Sequence, residues 1–129
     1  MARPRPLSPH LQVYRWQVQM ATSILHRGTG IVLAAGALVI AAGLLCLMLG
    51  AEHWACFTAL AGAWYGKLFL FGWIWCFAYH LCNGIRHIVQ DFAIGYAKPA
   101  FIRSSWISIV ASLVLTAIIW FAACKGGAA

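Results

Sequence analysis

Acidic side chains are almost missing: Glu52 and Asp91 are the only two in 129 residues, against nine Lys or Arg. All charged residues together make up 9% of the chain while 64% is hydrophobic, where an average soluble domain carries roughly a quarter charged residues. So little charge excludes a soluble fold that hides its apolar surface in one core and leaves a membrane domain. The cysteines form no C-x-x-C pair, which excludes the common zinc and dithiol motifs. Cys46, Cys76, Cys82 and Cys124 lie in apolar runs and read as small hydrophobes. No apolar h-region follows the basic start "MARPRPLSPHLQVYRWQVQ", so a cleavable signal is not expected, and a mitochondrial transit sequence would be longer and richer in Arg and Ser. The net charge of +7 is spread along the ends of apolar runs without a dense patch or an aromatic platform, which argues against nucleic acid. Repeats and low-complexity segments are also lacking.

What remains is apolar and periodic in length. Arg27 and Glu52 bracket the uncharged stretch "GTGIVLAAGALVIAAGLLCLMLGA", and further uncharged stretches run from Leu68 to Ile85 and from Ser104 to Cys124. Each is near the roughly 20 residues that cross a hydrocarbon core as a helix. The expected fold is an all-α membrane protein: one anchor domain over 1–129, with an inner-face arm over 1–21 and spans over about 22–50, 67–91 and 104–124. Arg3, Arg5, Arg15 and Arg27 precede the first span, and Arg86, Lys98 and Arg103 lie around the link between the second and third. Only Lys67 and Lys125 fall on the other side, so the positive-inside rule places the amino terminus inside and the carboxyl terminus outside.

Pro4, Pro6 and Pro9 forbid regular helix in the first part of the arm. The segment "HLQVYRWQV" mixes apolar, aromatic and cationic residues as an interfacial stretch does. The stretch from Glu52 to Gly66 reads as an outer loop whose Trp54, Trp64 and Tyr65 form an interfacial aromatic belt. On the inner side Gly95 and Pro99 are expected to end the second span and turn the chain, with Ser104 or Ser105 capping the third. In the third span Ser108, Ser112 and Thr116 would let helices approach or hydrogen-bond.

The chemistry concentrates in "HLCNGIRH", residues 80 to 87. Helical spacing puts His80, Gly84 and His87 on one face, with the glycine as a flat gap beside the deeper histidine. His80 lies ~9 Å deeper than Arg86 at 1.5 Å per residue. One reading is a histidine satisfied by a neighbouring backbone group. The other is a haem b whose plane meets His80 at depth and whose propionates end near Arg86, His87, His26 and Arg27. The convergence of those cations on one rim favours haem, with no continuous polar path for a channel or transporter.

His80 and His87 stand ~10.5 Å apart along the helix, whereas two axial imidazole nitrogens on one iron stand about 4 Å apart at ~2 Å per metal–nitrogen bond. They cannot share an iron, so the chain offers one axial ligand, His80, and either another subunit supplies the second histidine or the iron stays five-coordinate. "CFAYH" lacks the C-x-x-C-H spacing for covalent attachment. Ser23 and Arg27, on one helix face, suit the carbonyl oxygens of a quinone, and equally suit a helix cap and a snorkelling anchor.

Two longer patterns carry a resemblance. "RPLSPHLQVYRWQVQMATSILHRGT" is similar to the first signature of the succinate dehydrogenase cytochrome b556 subunit family of complex II, and "HLCNGIRHIVQDFA" to the second. Together they cover about a third of the chain, in the family's order. The resemblance implies a membrane anchor that pairs with a second small anchor subunit and docks a flavoprotein and an iron–sulfur protein on the inner face. Electrons would then pass from succinate to a quinone, ubiquinone being expected. It further implies that His80 is an axial haem b ligand, with the other axial histidine on the partner anchor. His26, Arg27 and His87 match positions near the propionates, and Ser23 and Arg27 the quinone pocket. Gln90 departs from the pattern, which has an aromatic residue or methionine before Asp91, and puts local packing in question. The expected location is a bacterial inner membrane, with a mitochondrial inner membrane as the alternative. A haem-free structural anchor is the alternative function.

Overall fold

A computed structural model describes residues 15–126. The proline-rich part of the arm, including the signature positions Arg5, Pro6 and Leu11, lies outside the described residues. The rest is helical: α1 (Val18–Leu49), α2 (Ala51–Gly62), α3 (Trp64–Asp91) and α4 (Lys98–Lys125). Three of them, α1, α3 and α4, are long and apolar enough to cross a membrane. At 32 residues α1 is ~48 Å long and overshoots a ~30 Å hydrocarbon core, so it starts inside the expected arm. No strand occurs among the described residues.

The segment expected as an outer loop is instead the helix α2, set off from α1 by Gly50 at φ 120°. Four of its twelve residues are Ala, the strongest helix former, and it contributes no buried residue. Ala63 links it to α3 by N–H bonds to the carbonyls of Ala59 (3.1 Å) and Leu60 (3.3 Å). A side chain at Gly66 would run into the Leu60 and Ala61 carbonyls, so this corner requires glycine.

The third span also starts earlier than expected. Helix α4 begins at Lys98 with Pro99 in its first turn, where proline's missing N–H would have no helical partner anyway. Ser104 and Ser105 are not caps: both hydroxyls donate to the Phe101 carbonyl at 3.0 Å inside the helix. The turn before it is made by Ala93 at φ 59° and Gly95 at φ 81°.

The long helices run up, down and up. Across α1 and α3, His26 meets His87, Gly30 meets His80 and Gly36 meets Trp73, while across α3 and α4, Arg86 meets Ser104 and Phe71 meets Trp120. The start of α1, the end of α3 and the start of α4 therefore share one end of the bundle. Small side chains make the contacts. The buried residues of α1 are Thr22, Thr29, Gly36 and Gly43, one per heptad, as expected where two helices pack at a shallow angle. Helix α4 buries Ser105, Ser108, Ser112 and Thr116. The last three donate to carbonyls of their own helix at 2.7–2.8 Å, so no hydroxyl is left unsatisfied in lipid.

Candidate functional site

Between α1 and α3, toward the end of the bundle where α1 starts, three imidazoles meet. His26 stacks on His80 with ring centroids 4.0 Å apart and planes 12° from parallel. His87 lies tilted at 5.1 Å from His26. The spacing that puts His80, Gly84 and His87 on one face of α3 thus finds its counterpart in α1.

His80 is held by α1 in a way that fixes its proton. Its Nδ1 lies 3.1 Å from the His26 carbonyl oxygen and 3.3 Å from Thr29 Oγ1. A carbonyl only accepts, so Nδ1 must carry the hydrogen and Nε2 keeps an in-plane lone pair. The Thr29 hydroxyl has one hydrogen, with the Leu25 carbonyl at 2.8 Å and the His26 carbonyl at 3.0 Å to receive it. Gly30 completes the cradle, since a Cβ there would lie 3.1 Å from His80 Cε1. Gly84, expected to make room beside His80, faces His26 instead: its Cβ would meet His26 Cε1 at an ordinary 3.7 Å. Gly30 on α1 is the glycine against which the His80 ring rests, and the gap at Gly84 opens toward His26.

A histidine with Nδ1–H on a backbone carbonyl and Nε2 free is the usual form of a metal-bound imidazole. The described residues would fit a haem iron held from this chain by His80 through Nε2. Parallel stacked rings cannot direct two in-plane lone pairs at one metal between them, so His26 is not the second ligand. Among the described residues no group of three His, Cys, Asp or Glu could hold a metal ion by itself.

Beside this cluster runs a buried polar chain. Asn83 has no exposed surface. Its amide oxygen accepts from Arg86 Nη1 (3.4 Å), with the Ser108 hydroxyl 3.5 Å away but donating to its own helix, which leaves the nitrogen to donate to His87 Nε2 at 3.1 Å. Arg86 was expected beside His87 at the propionate rim. The structure turns it toward α4, 8% exposed, donating from Nε to Ser104 at 3.0 Å and lying 4.5 Å over the Phe101 ring. The reason is helical phase: residues 83, 86 and 90 share the α4 face of α3, while 80, 84 and 87 face α1. Gln90, the departure from the family pattern, is on that α4 face and buried, with Nε2 unpartnered among the described residues.

Ser23 is half-buried and Arg27 exposed, four residues apart on α1. Neither side chain makes a hydrogen bond among the described residues, which leaves their donors available at the rim. Thr29, Gly30, Tyr79 and Asn83 had no role assigned from sequence. Tyr79, fully buried, donates to the Thr22 carbonyl at 3.0 Å and pins α3 to α1 one residue before His80. An amide and a phenol inside an apolar run are the signals that mark Asn83 and Tyr79. Thr29 lies in the first signature, but its partner is visible only across two helices.

The chain matches the model of a family described as succinate dehydrogenase/fumarate reductase transmembrane subunit, over residues 1–119. It is 38% identical over 120 residues to the succinate dehydrogenase cytochrome b556 subunit of Paracoccus denitrificans, covering 91% of this chain and 92% of that protein. With the protein of the same description from Rickettsia prowazekii (strain Madrid E) it shares 36% over 118 residues, 90% of each chain. The mitochondrial succinate dehydrogenase cytochrome b560 subunit of Sus scrofa is 37% identical over 118 residues, 88% of this chain and 66% of that one.

Proposed function

Because the chain belongs to the succinate dehydrogenase/fumarate reductase transmembrane subunit family, we propose that its histidine cluster holds one side of a haem b and that Ser23 and Arg27 contribute to a quinone site. The chain is a membrane subunit of that enzyme and not its catalytic core. The single observation that carries the haem reading is the 3.1 Å approach of His80 Nδ1 to the His26 carbonyl oxygen, which only an Nδ1–H can satisfy. That leaves Nε2 to bind iron.

When bound, a haem supplies a one-electron centre whose potential depends on its axial ligands and their hydrogen bonds. His80 would be the axial ligand from this chain. His26 and His87 lie close enough to His80 to border such a group and could hydrogen-bond to its propionates, while Arg27 would place positive charge near them and raise its potential. Arg86 reaches this face through Asn83, by holding the amide that donates to His87. The second axial histidine would come from a second small anchor subunit. Flavoprotein and iron–sulfur subunits would dock at the inner end and deliver electrons from succinate.

At the rim, the Ser23 hydroxyl and the Arg27 guanidinium would donate to the carbonyl oxygens of a quinone, with ubiquinone as the expected substrate. The charge on Arg27 favours reduced, more negative forms of the quinone over the oxidised one. The location that goes with this assignment is a bacterial inner membrane with the amino terminus cytoplasmic.

Reduced-minus-oxidised spectra of the purified complex test the haem reading. His80→Ala is expected to abolish or strongly shift the b-type band while the subunits still copurify. A band that survives this change untouched sinks the assignment and leaves a haem-free anchor. In the same preparations Arg27→Ala is expected to lower succinate:quinone reduction at least tenfold, with succinate oxidation by an artificial acceptor retained. Full quinone reduction in that variant would remove Arg27 from the site.

A further inference from the structure

His80 is fixed from α1 by one backbone carbonyl and one side chain, and only the side chain can vary with sequence. Thr29 is 4% exposed, and its hydroxyl hydrogen has its shortest acceptor in the Leu25 carbonyl at 2.8 Å. The lone pairs of Oγ1 are then left facing the Nδ1–H of His80 at 3.3 Å. With the His26 carbonyl at 3.1 Å, this makes a three-centre hydrogen bond in which Thr29 is the longer arm. Both acceptors draw the Nδ1 proton outward and place more electron density on Nε2.

We propose that Thr29 is a positioning residue that sets the orientation and basicity of His80, and through it the reduction potential of the haem. The proposal rests on the haem reading of His80. A more basic axial imidazole stabilises the ferric state more than the ferrous one, so the Thr29 hydroxyl lowers the potential. In opposition, the Arg27 cation at the rim would raise it. Gly30, next in sequence, keeps the ring at the distance where Thr29 acts, because any Cβ there would press on Cε1.

The test is a redox titration of the b-type band in the assembled complex, with the low-spin ferric resonance read alongside. Thr29→Val keeps the shape and the β-branch and removes the oxygen. It is expected to retain haem at full stoichiometry, raise the midpoint potential and shift the ferric g values. Thr29→Ser restores the oxygen and is expected to return both readouts to those of the unmodified complex. A Thr29→Val complex with an unmoved potential overturns the proposal, and so does a Thr29→Ser complex that shifts as far as Thr29→Val. Should Thr29→Val not assemble, Thr29→Ala carries the same measurement. If both fail while Thr29→Ser assembles, the hydroxyl holds the fold and the positioning role is refuted. His80→Ala in parallel separates the two readings. A band unchanged there removes the haem assignment itself, whereas a band lost there and unmoved in Thr29→Val removes only the role of Thr29.

Discussion

Asn83 has no exposed surface, yet both ends of its amide are engaged, the nitrogen with His87 and the oxygen with Arg86. In hydrocarbon such a group is stable only if its partners are in place, and each partner left alone costs about 1–3 kcal/mol. Asn83→Leu is therefore expected to destabilise the subunit by about 2–6 kcal/mol, because it strands both a donor on Arg86 and an acceptor on His87. A lowered midpoint of thermal unfolding in the detergent-solubilised complex checks this; an unchanged midpoint would mean that water or a partner chain already serves those groups. The same single-residue logic explains why Arg86 can be buried without a carboxylate. Its guanidinium is spread over Ser104, Asn83 and the Phe101 face, with Nη2 unpartnered among the described residues, a pattern that suits a weakly hydrated planar cation and would not suit lysine.

Elements meet here through what their side chains lack. Along α1 the buried positions are two threonines and two glycines at heptad spacing, and opposite Gly36 stands the indole of Trp73, placed where a Cβ would have to be. Gly36→Ala is expected to force Trp73 and α3 away from α1, at a cost of about 1–3 kcal/mol for overpacking. Trp73→Phe in the same chain should recover part of that loss, since the smaller ring vacates the contact, and a double-mutant cycle on thermal stability reads the coupling. Additive effects would show that the two residues do not press on each other. Helix α2 shows the limit of patterning at this scale. Its aromatic residues suggested an interfacial loop, and nothing in periodicity marked it as helix because it buries no face; its alanines and the glycine at position 50 were the available signals.

For the whole molecule, the up-down-up order puts Arg15, Arg27, Lys98 and Arg103 toward one end and Lys67 and Lys125 toward the other. Arg86, counted with the inner cations from sequence, is buried against α4 and acts in packing more than in topology. The remaining bias still favours an inner amino terminus. In a chain freed of its native thiols, Glu52→Cys is expected to react with an impermeant maleimide from outside intact cells, and Lys98→Cys only after the membrane is opened. The reverse pattern would invert the topology and move the histidine cluster to the wrong side for subunits that oxidise succinate.

Charge scarcity and the lengths of the apolar runs determined the membrane class, the three spans and their order, since a helix in lipid must satisfy its own backbone and needs a minimum length to cross. Helix rise alone also separated His80 from His87 by more than two ligands of one iron could span. Spacing along one helix tells which residues share a face. It does not tell which neighbour that face meets. That was decided in three dimensions, where the small residues of α1 brought the His26 carbonyl, Thr29 and Gly30 against His80 and sent Arg86 the other way, to Ser104. The proton on His80 Nδ1 belongs to the same category: a tautomer is set by its hydrogen-bond partner, and that partner sits on a different helix.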